Sequence, residues 1–358
     1  MKTLAASYSI FSVVGKYRMR TILYIAVFWT LIDVAVALVL KEHITGPSTK
    51  AFLLREAAVF IMSCVMGYLF VFALRNVFRK RPPVINFIFK SVILLAAAFV
   101  MNFLVHFVDT VFISGKDAPT AARTFLGEIQ EPRLMLQHIL YWLILFFITQ
   151  LYIEINQKYS PGVFLDILRG KYMQPQVENR IIMFIDLKDS TPIAEKLGHA
   201  QNFRFIHDFI FHVSMALIEH GGRIYQYVGD EIVVSWLFDK RNTMRCLAAI
   251  IEARKNLQKN ANQFRNSYGI VPEFRIGIHM GEVTVGEIGV IKKDLAMSGD
   301  TMNTTARIRS ACNELNQKFI MSKDFMDSSD LKEWQGESLG VVDLKGKAES
   351  IELFSLKI

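Results

Sequence analysis

The strongest constraint on the fold is a set of four long apolar stretches in the first half of this 358-residue chain. About 20 predominantly apolar residues are needed to cross the hydrocarbon core of a bilayer, and each stretch is near or above that length. The sequence therefore predicts a helical transmembrane domain over residues 1–156 with about four spans. The first stretch is too long for the apolar region of a cleaved signal peptide. The predicted spans are Thr21–Leu40, Ala57–Leu74, Phe87–Ile113 and Leu134–Ile155.

Basic residues are concentrated beside these stretches. The first 160 residues contain 16 Lys and Arg against 8 Asp and Glu, of 41 and 33 in the whole chain, so this half accounts for the net charge of +8. The excess lies before the first span, between the second and third, and after the fourth, which fits membrane flanks better than a nucleic-acid surface. This location of the basic residues predicts no nucleic-acid partner. The positive-inside rule predicts a multi-pass protein of the cell (inner) membrane with both termini cytoplasmic.

Several polar residues fall at membrane depth within the predicted spans. Ionisable groups there are functional candidates by default, although pairing inside the bundle also accounts for them. Two of them are histidines on different spans, so binding of haem or a metal stays open. The residues are Asp33, Asn102, His106, Asp109 and His138.

The second half has the pattern of a cytosolic α+β domain. Ser160-Pro161-Gly162 ends the fourth apolar stretch, so residues 157–178 are predicted to be a connector and residues 179–358 a second domain. Hairpins occur beside alternating strands and helices, which favours α+β over a doubly wound parallel sheet. The predicted strands are Arg180–Ile185, Arg223–Val228, Glu231–Leu237, Glu273–Met280, Glu282–Ile288, Phe319–Met321, Gly340–Leu344 and Ile351–Leu356. One predicted helix begins near Ser190, and three others cover Asn202–Glu219, Asn242–Gln263 and Asp300–Cys312.

Two aspartates mark a candidate metal site. Asp186 follows a predicted strand and precedes a helix N-terminus, and Asp230 lies in the turn of a predicted hairpin. If those strands are neighbours, both carboxylates lie at one sheet edge, where they suit Mg²⁺ bound to a polyphosphate. The exposed amides of the helix that begins near Thr191 can bind phosphate oxygens. Either aspartate alone is more often a cap or turn residue, so the prediction depends on the pair.

The ordered motifs of this half resemble those of class III nucleotidyl cyclases. The resemblance covers roughly Glu178 to Ile358, with the motifs in the family's order and spacing, which is more specific than any lone motif. It implies a ferredoxin-like α+β catalytic domain of the membrane-anchored bacterial type. The motifs are Phe184-Ile185-Asp186-Leu187 with Ser190-Thr191, Tyr227-Val228-Gly229-Asp230-Glu231, Arg275-Ile276-Gly277-Ile278-His279 with Gly281-Glu282-Val283, and Ser298-Gly299-Asp300-Thr301 with Asn303 and Arg307.

The resemblance implies a role for each matching residue. Asp186 and Asp230, with the backbone carbonyl of Leu187, match the ligands of two Mg²⁺ or Mn²⁺ ions. Asn303 matches the residue that orients the ribose, and Arg307 matches the arginine that stabilises charge on the α-phosphoryl group.

The resemblance also implies a homodimer with composite sites. In this family one chain supplies the two aspartates, and its partner supplies the asparagine and the arginine from a head-to-tail arrangement. A homodimer of this chain would therefore contain two complete sites. Further nucleotide-binding candidates are Ser190, Thr191, Gln226, Ala296 and Lys345, with Lys347 as the alternative to Lys345.

The purine-reading positions depart from the family pattern. Adenylate cyclases of this family usually place a lysine at the position of Gln226, and an aspartate or threonine at that of Ala296. A glutamine amide both donates and accepts hydrogen bonds, so it can face either purine. The expected activity is adenylate cyclase, converting ATP to cyclic AMP. A guanylate cyclase acting on GTP and a catalytically weak nucleotide-sensing regulator remain the alternatives.

Overall fold

The computed structural model describes residues 13–40, 49–73, 82–158, 166–167, 169–291, 293–329, 335–344 and 350–357. The chain divides into two compact units, Met1–Lys158 and Tyr159–Ile358. Lys345 and Lys347 lie outside the described residues, as does the side chain of His138.

The first unit is built from long apolar helices. Four of its helices are long and apolar enough to cross a membrane, within Arg18–Val39, Thr49–Val71, Val84–Ile113 and Met135–Ile153. The predicted set of four apolar helices is confirmed, although the second begins eight residues before the predicted Ala57. Residues that were expected only to connect the third and fourth spans form an additional helix. The helices are α1 (Val13–Leu40), α2 (Thr49–Tyr68, followed by a π-helical turn, Leu69–Ala73), α3 (Pro83–Val108, followed by a π-helical turn, Asp109–Ile113), α4 (Ala118–Gln130) and α5 (Pro132–Lys158).

Large apolar side chains lie on both the inside and the outside of this unit. Trp29, Val59, Leu94 and Phe146 belong to one buried cluster. Many others are exposed, including Leu31 with 62% of its surface accessible. A soluble bundle would place polar residues on that outer face, so this distribution suits helices surrounded by lipid.

The second unit is a mixed α+β domain. The single predicted helix Asn242–Gln263 is two helices, and the two predicted strands around Gly281 form one continuous strand. The late strand predicted at Gly340–Leu344 is instead Gln335–Val342. The elements are β1 (Gln176–Leu187), α6 (Ser190–Leu197), α7 (His199–Glu219), β2 (Arg223–Val228), β3 (Glu231–Leu237), α8 (Lys240–Lys259), α9 (Ala261–Tyr268), β4 (Phe274–Ile288), β5 (Asp294–Ser298), α10 (Asp300–Glu314), β6 (Phe319–Ser322), α11 (Lys323–Ser328), β7 (Gln335–Val342) and β8 (Ile351–Lys357).

The strands form one sheet with β1 near its centre. Their order is β2-β3-β1-β4-β6-β8-β7, and β5 pairs with β4 outside this path. β1 is antiparallel to both β3 and β4, whereas β4 and β6 are parallel. The mixed sheet confirms the α+β prediction.

Helices cover both faces of the sheet, which explains the continuous apolar sequence of β1. Alternate residues of a strand point to opposite faces. Ile181, Met183 and Ile185 belong to the core that also contains residues of α7 and α8. Ile182 and Phe184 belong to a second cluster, against which residues of β5 and α10 pack.

Gly277 allows α10 to approach β4 closely. A Cβ atom on this glycine would lie 2.4 Å from the backbone nitrogen of Arg309 and 2.8 Å from the carbonyl oxygen of Thr305. Such distances are well inside van der Waals contact, so any side chain here would push the helix away. The absence of a side chain thus sets the depth at which α10 presents Arg309 beside the sheet.

Candidate active site

Three carboxylates lie together at one edge of the sheet. In the antiparallel pairing of β1 with β3, Ile185 lies opposite Ile232, so the next residue, Asp186, lies opposite Glu231. Asp230 precedes Glu231 in the β2–β3 turn, where Gly229 adopts a φ of 62° that favours glycine. The side chain of Asp230 also interacts directly with that of Asp186. The predicted convergence of the two aspartates is therefore found in the structure.

Arg309 is the counter-charge of this carboxylate group. Its Nη1 atom lies 3.4 Å from Oδ2 of Asp186, and its Nη2 atom lies 2.6 Å from Oε2 of Glu231. All three side chains are largely buried, with 24% of the arginine side chain accessible. One guanidinium thus bridges the ends of two neighbouring strands, as its planar fork of donors permits.

The environment of Asp186 favours its neutral form. Burial raises the pKa of Asp186 to about 6, and Asp230 and Glu231 act in the same direction. Arg309 opposes this rise and does not cancel it. The positive charge of Arg309 therefore does not fully offset the cost of burying the ionised Asp186 carboxylate beside two other acids.

The donor set fits a hard divalent cation. Oδ2 of Asp230 is buried and receives no hydrogen bond from any described residue. Carboxylate oxygens are the ligands that Mg²⁺ prefers, and Mg²⁺ is typically held by one or two carboxylates together with substrate phosphates. In the described part of the chain, no three His, Cys, Asp or Glu side chains are arranged so that they could hold a metal ion by themselves, so substrate phosphates or backbone oxygens would have to complete the coordination. Leu187 has a hydrocarbon side chain, so only its backbone carbonyl could contribute to such a site.

The start of α6 adds backbone donors next to Asp186. The preceding residue, Asp189, adopts a left-handed conformation with φ of 58°, and its side chain does not cap the helix. Ser190 and Thr191 are the first two residues of this eight-residue helix. Uncapped amides at a helix start, assisted by the helix dipole, suit phosphate oxygens.

Asn303 and Arg307 lie on a different face of α10 from Arg309. Residues four apart share a helix face, whereas residues two apart are separated by about 200°. Arg309 is directed at Asp186 of its own chain. Asn303 is exposed and Arg307 partly exposed. No hydrogen bond or ion pair of either side chain is found among the described residues. The structure therefore does not bring this pair to the aspartates of the same chain.

The predicted purine-reading positions lie on neighbouring elements. Gln226 is exposed on β2, and Ala296 is partly exposed on β5. The adjacent residues are in contact, since the hydroxyl of Tyr225 accepts a hydrogen bond from the backbone nitrogen of Met297 at 3.0 Å. β2 and β5 thus approach each other beside both positions.

Comparison with known proteins identifies the domain. Residues 172–357 match the family model of the adenylate and guanylate cyclase catalytic domain. The chain belongs to this family. It is 30% identical over 206 residues to adenylate cyclase 2 of Rhizobium meliloti (strain 1021), covering 57% of each chain. It is 26% identical over 216 residues to an adenylate cyclase of Anabaena cylindrica, covering 56% of this chain and 42% of that one.

The domain also resembles a solved structure in its fold. A bacterial light-regulated adenylyl cyclase superposes with a TM-score of 0.54 at 20% identity, over 64% of this chain and 67% of that chain. The chain spans less than two thirds of the length of the two curated relatives. The family match over residues 172–357, with this fold, confirms the predicted class III cyclase catalytic domain in the second half.

Glu231 and Arg309 are the two site residues that the sequence reasoning missed. Glu231 directly follows Asp230 in the turn motif, so its position beside the aspartates could have been predicted from the sequence. Arg309 had no comparable signal, because its contact with Asp186 crosses 123 positions of sequence.

Proposed function

We propose that this protein is a membrane-anchored adenylate cyclase that converts ATP to 3′,5′-cyclic AMP and pyrophosphate as a homodimer. The observation that carries the proposal is the convergence of Asp186 and Asp230, with a buried unpartnered oxygen, beside the uncapped start of α6. The family and the named relatives support cyclic nucleotide synthesis. The four apolar helices support a location in the inner membrane with the catalytic domain in the cytoplasm.

The reaction joins the ribose 3′-oxygen to the α-phosphorus as the bond to pyrophosphate breaks. Asp186 and Asp230, with the backbone of Leu187, would hold two Mg²⁺ or Mn²⁺ ions. Ions held there would lower the pKa of the 3′-hydroxyl and neutralise charge on the triphosphate. The amides of Ser190 and Thr191 bind phosphate oxygens.

The second catalytic surface comes from the partner chain. Asn303 orients the ribose and Arg307 stabilises the negative charge that develops on the α-phosphoryl oxygens, as the family resemblance implies. The different helix face of these residues, away from Arg309, supports a site completed across a dimer interface. Lys345 is proposed to contact the triphosphate.

Guanylate cyclase activity is the second candidate. Gln226 can present either a donor or an acceptor to a purine, and Ala296 supplies no side-chain hydrogen bond. Purified full-length protein incubated with ATP or GTP and Mn²⁺ separates the candidates when the product is identified by mass spectrometry. Cyclic AMP as the main product supports the proposal. Cyclic GMP as the main product would instead support guanylate cyclase activity. Nucleotide binding without either product, in protein that binds Mn²⁺, would instead indicate a regulator.

A further inference from the structure

The membrane unit contains a buried group of charged residues that cyclic nucleotide synthesis does not use. Asp33 on α1 is fully buried, and Glu56 on α2 is 8% exposed. Oδ1 of Asp33 lies 3.1 Å from Nη2 of Arg55 and accepts a hydrogen bond from the hydroxyl of Tyr141 at 2.9 Å. Three helices, α1, α2 and α5, thus meet at one carboxylate.

The remaining oxygens of the two acids receive no hydrogen bond. Oδ2 of Asp33 and both carboxylate oxygens of Glu56 are buried and without a hydrogen-bond partner among the described residues. The side chains of Glu56 and Asp33 also interact directly with each other. The two carboxyl groups therefore present only hydrogen-bond acceptors to each other. A single proton shared between them would supply the missing donor.

Charge balance points to the same conclusion. Among the residues that the structure describes, two ionised carboxylates and one guanidinium would leave one negative charge uncompensated, and such a charge is costly away from water. On the neighbouring α3, Lys90 donates to Oε1 of Gln150 at 3.0 Å and His106 contacts the hydroxyl of Thr124 at 2.8 Å. Asp109, in the π-helical turn that packs against α2, would add negative charge rather than offset it. One bound proton makes the group neutral.

The available donors favour a proton over a metal cation. Hard cations such as Mg²⁺ and Ca²⁺ require about six or more oxygen ligands. The described residues offer three unpartnered carboxylate oxygens here, with a guanidinium beside them. A proton needs only one donor oxygen and one acceptor oxygen.

We propose that Asp33 and Glu56 form a proton-binding site that holds one proton between them in the folded bundle. The site is close to the helix ends predicted to face the extracytoplasmic side. Asp33 lies seven residues before the end of α1, and Glu56 lies seven residues after the start of α2, about 10 Å in each case at 1.5 Å per residue. Tyr141 links the pair to α5, the helix that precedes the connector along the chain.

Infrared spectroscopy of the full-length protein in lipid nanodiscs tests the proposal. Wild type should show the carbonyl absorption of a buried protonated carboxyl group at pH 7, and this band should disappear on titration to high pH. Glu56→Gln and Asp33→Asn each remove one negative charge, so each should lose the band at pH 7. Asp109→Asn, a matched change of another acid in the apolar helices, should keep it.

Unfolding measurements give an independent readout. The folded bundle binds one more proton than the unfolded chain, so raising the pH through release of the proton should lower the stability of wild type and not that of Glu56→Gln. The assignment is overturned if folded wild type lacks the band, if both amide variants retain it, or if Na⁺ added at constant pH abolishes it. Because no cyclase activity is measured, failure here leaves the proposed catalytic function standing.

Discussion

Arg309 reaches across the sheet edge to Asp186 of its own chain, with Nη1 3.4 Å from Oδ2, and its other terminal nitrogen pairs with Glu231. The arginine therefore places a positive charge beside Asp186, one of the two proposed metal ligands. Gly277 makes the contact possible by letting α10 lie directly on β4. Cation binding at Asp186 and pairing with Arg309 are thus expected to compete.

Arg309→Gln should strengthen metal binding. Removing the competing positive charge should raise the affinity for Mn²⁺ about tenfold, which corresponds to about 1.4 kcal/mol. Isothermal titration calorimetry of the full-length protein measures this directly. Arg241→Gln, an exposed arginine on α8, is the control and should leave the affinity unchanged. Weaker Mn²⁺ binding by Arg309→Gln would show that the arginine supports the metal site.

Asp186→Asn and Asp230→Asn should each reduce turnover by about 10³-fold or more, because each replaces a charged carboxylate of the proposed metal site with a neutral amide. Cyclic nucleotide production by purified variants with Mg²⁺ checks this. Asp189→Asn is the control, since this exposed residue precedes α6 and asparagine tolerates its left-handed backbone. Near wild-type activity in either site variant would contradict the metal assignment.

Asp186→Asn should also stabilise the protein when no metal is present. A carboxyl whose pKa is raised to about 6 holds its proton more tightly in the folded state than in the unfolded state, where the ordinary value is 3.8. The stability of wild type therefore falls as pH rises from about 4 to about 6, by roughly 3 kcal/mol at most. The variant lacks this loss, so its melting temperature in the presence of chelator should exceed that of wild type at pH 7 and match it at pH 4. An equal difference at both pH values would mean that the effect is not ionisation of Asp186.

Asp186→Ala and Arg307→Ala should complement each other in a mixed dimer. Each variant alone should be nearly inactive, because losing a positioned transition-state contact costs about 10²–10³ in rate. In a mixed dimer one site carries both changes and the other carries neither. With random pairing about half of the dimers are mixed, so co-expression should restore roughly a quarter of wild-type activity. Mixed dimers recovered by pull-down without cyclase activity would rule out the shared site.

Reporter fusions should place the ends of the first and fourth spans on opposite sides of the membrane. A fusion after Leu40 should report the extracytoplasmic side, and a fusion after Ser160 the cytoplasmic side, because basic residues flank the cytoplasmic ends. Alkaline phosphatase and green fluorescent protein fusions give opposite readouts for the two sides. The same side for both fusions would exclude four spans.

Local sequence patterns determined the architecture and half of the candidate site. Apolar stretches of spanning length predicted the four helices, and turn and cap residues placed Asp186 and Asp230 at strand ends, because these signals lie within a few residues of one another. The boundaries of β4 were not predictable in this way, since Gly281 looks like a strand break. In the structure, the absence of a side chain at Gly281 leaves room for Thr301. A Cβ atom on Gly281 would lie 2.7 Å from Oγ1 of Thr301.

Only the tertiary structure decided which distant charges meet. Arg309 and Asp186 are 123 positions apart, and Asp33 and Tyr141 are 108 apart. Their sequence neighbourhoods resemble those of an ordinary helix surface and an ordinary apolar span. Such contacts depend on how deeply one helix packs on the sheet and on how three helices are rotated about their axes. Both are set by side-chain packing over the whole unit, which no local stretch of sequence specifies.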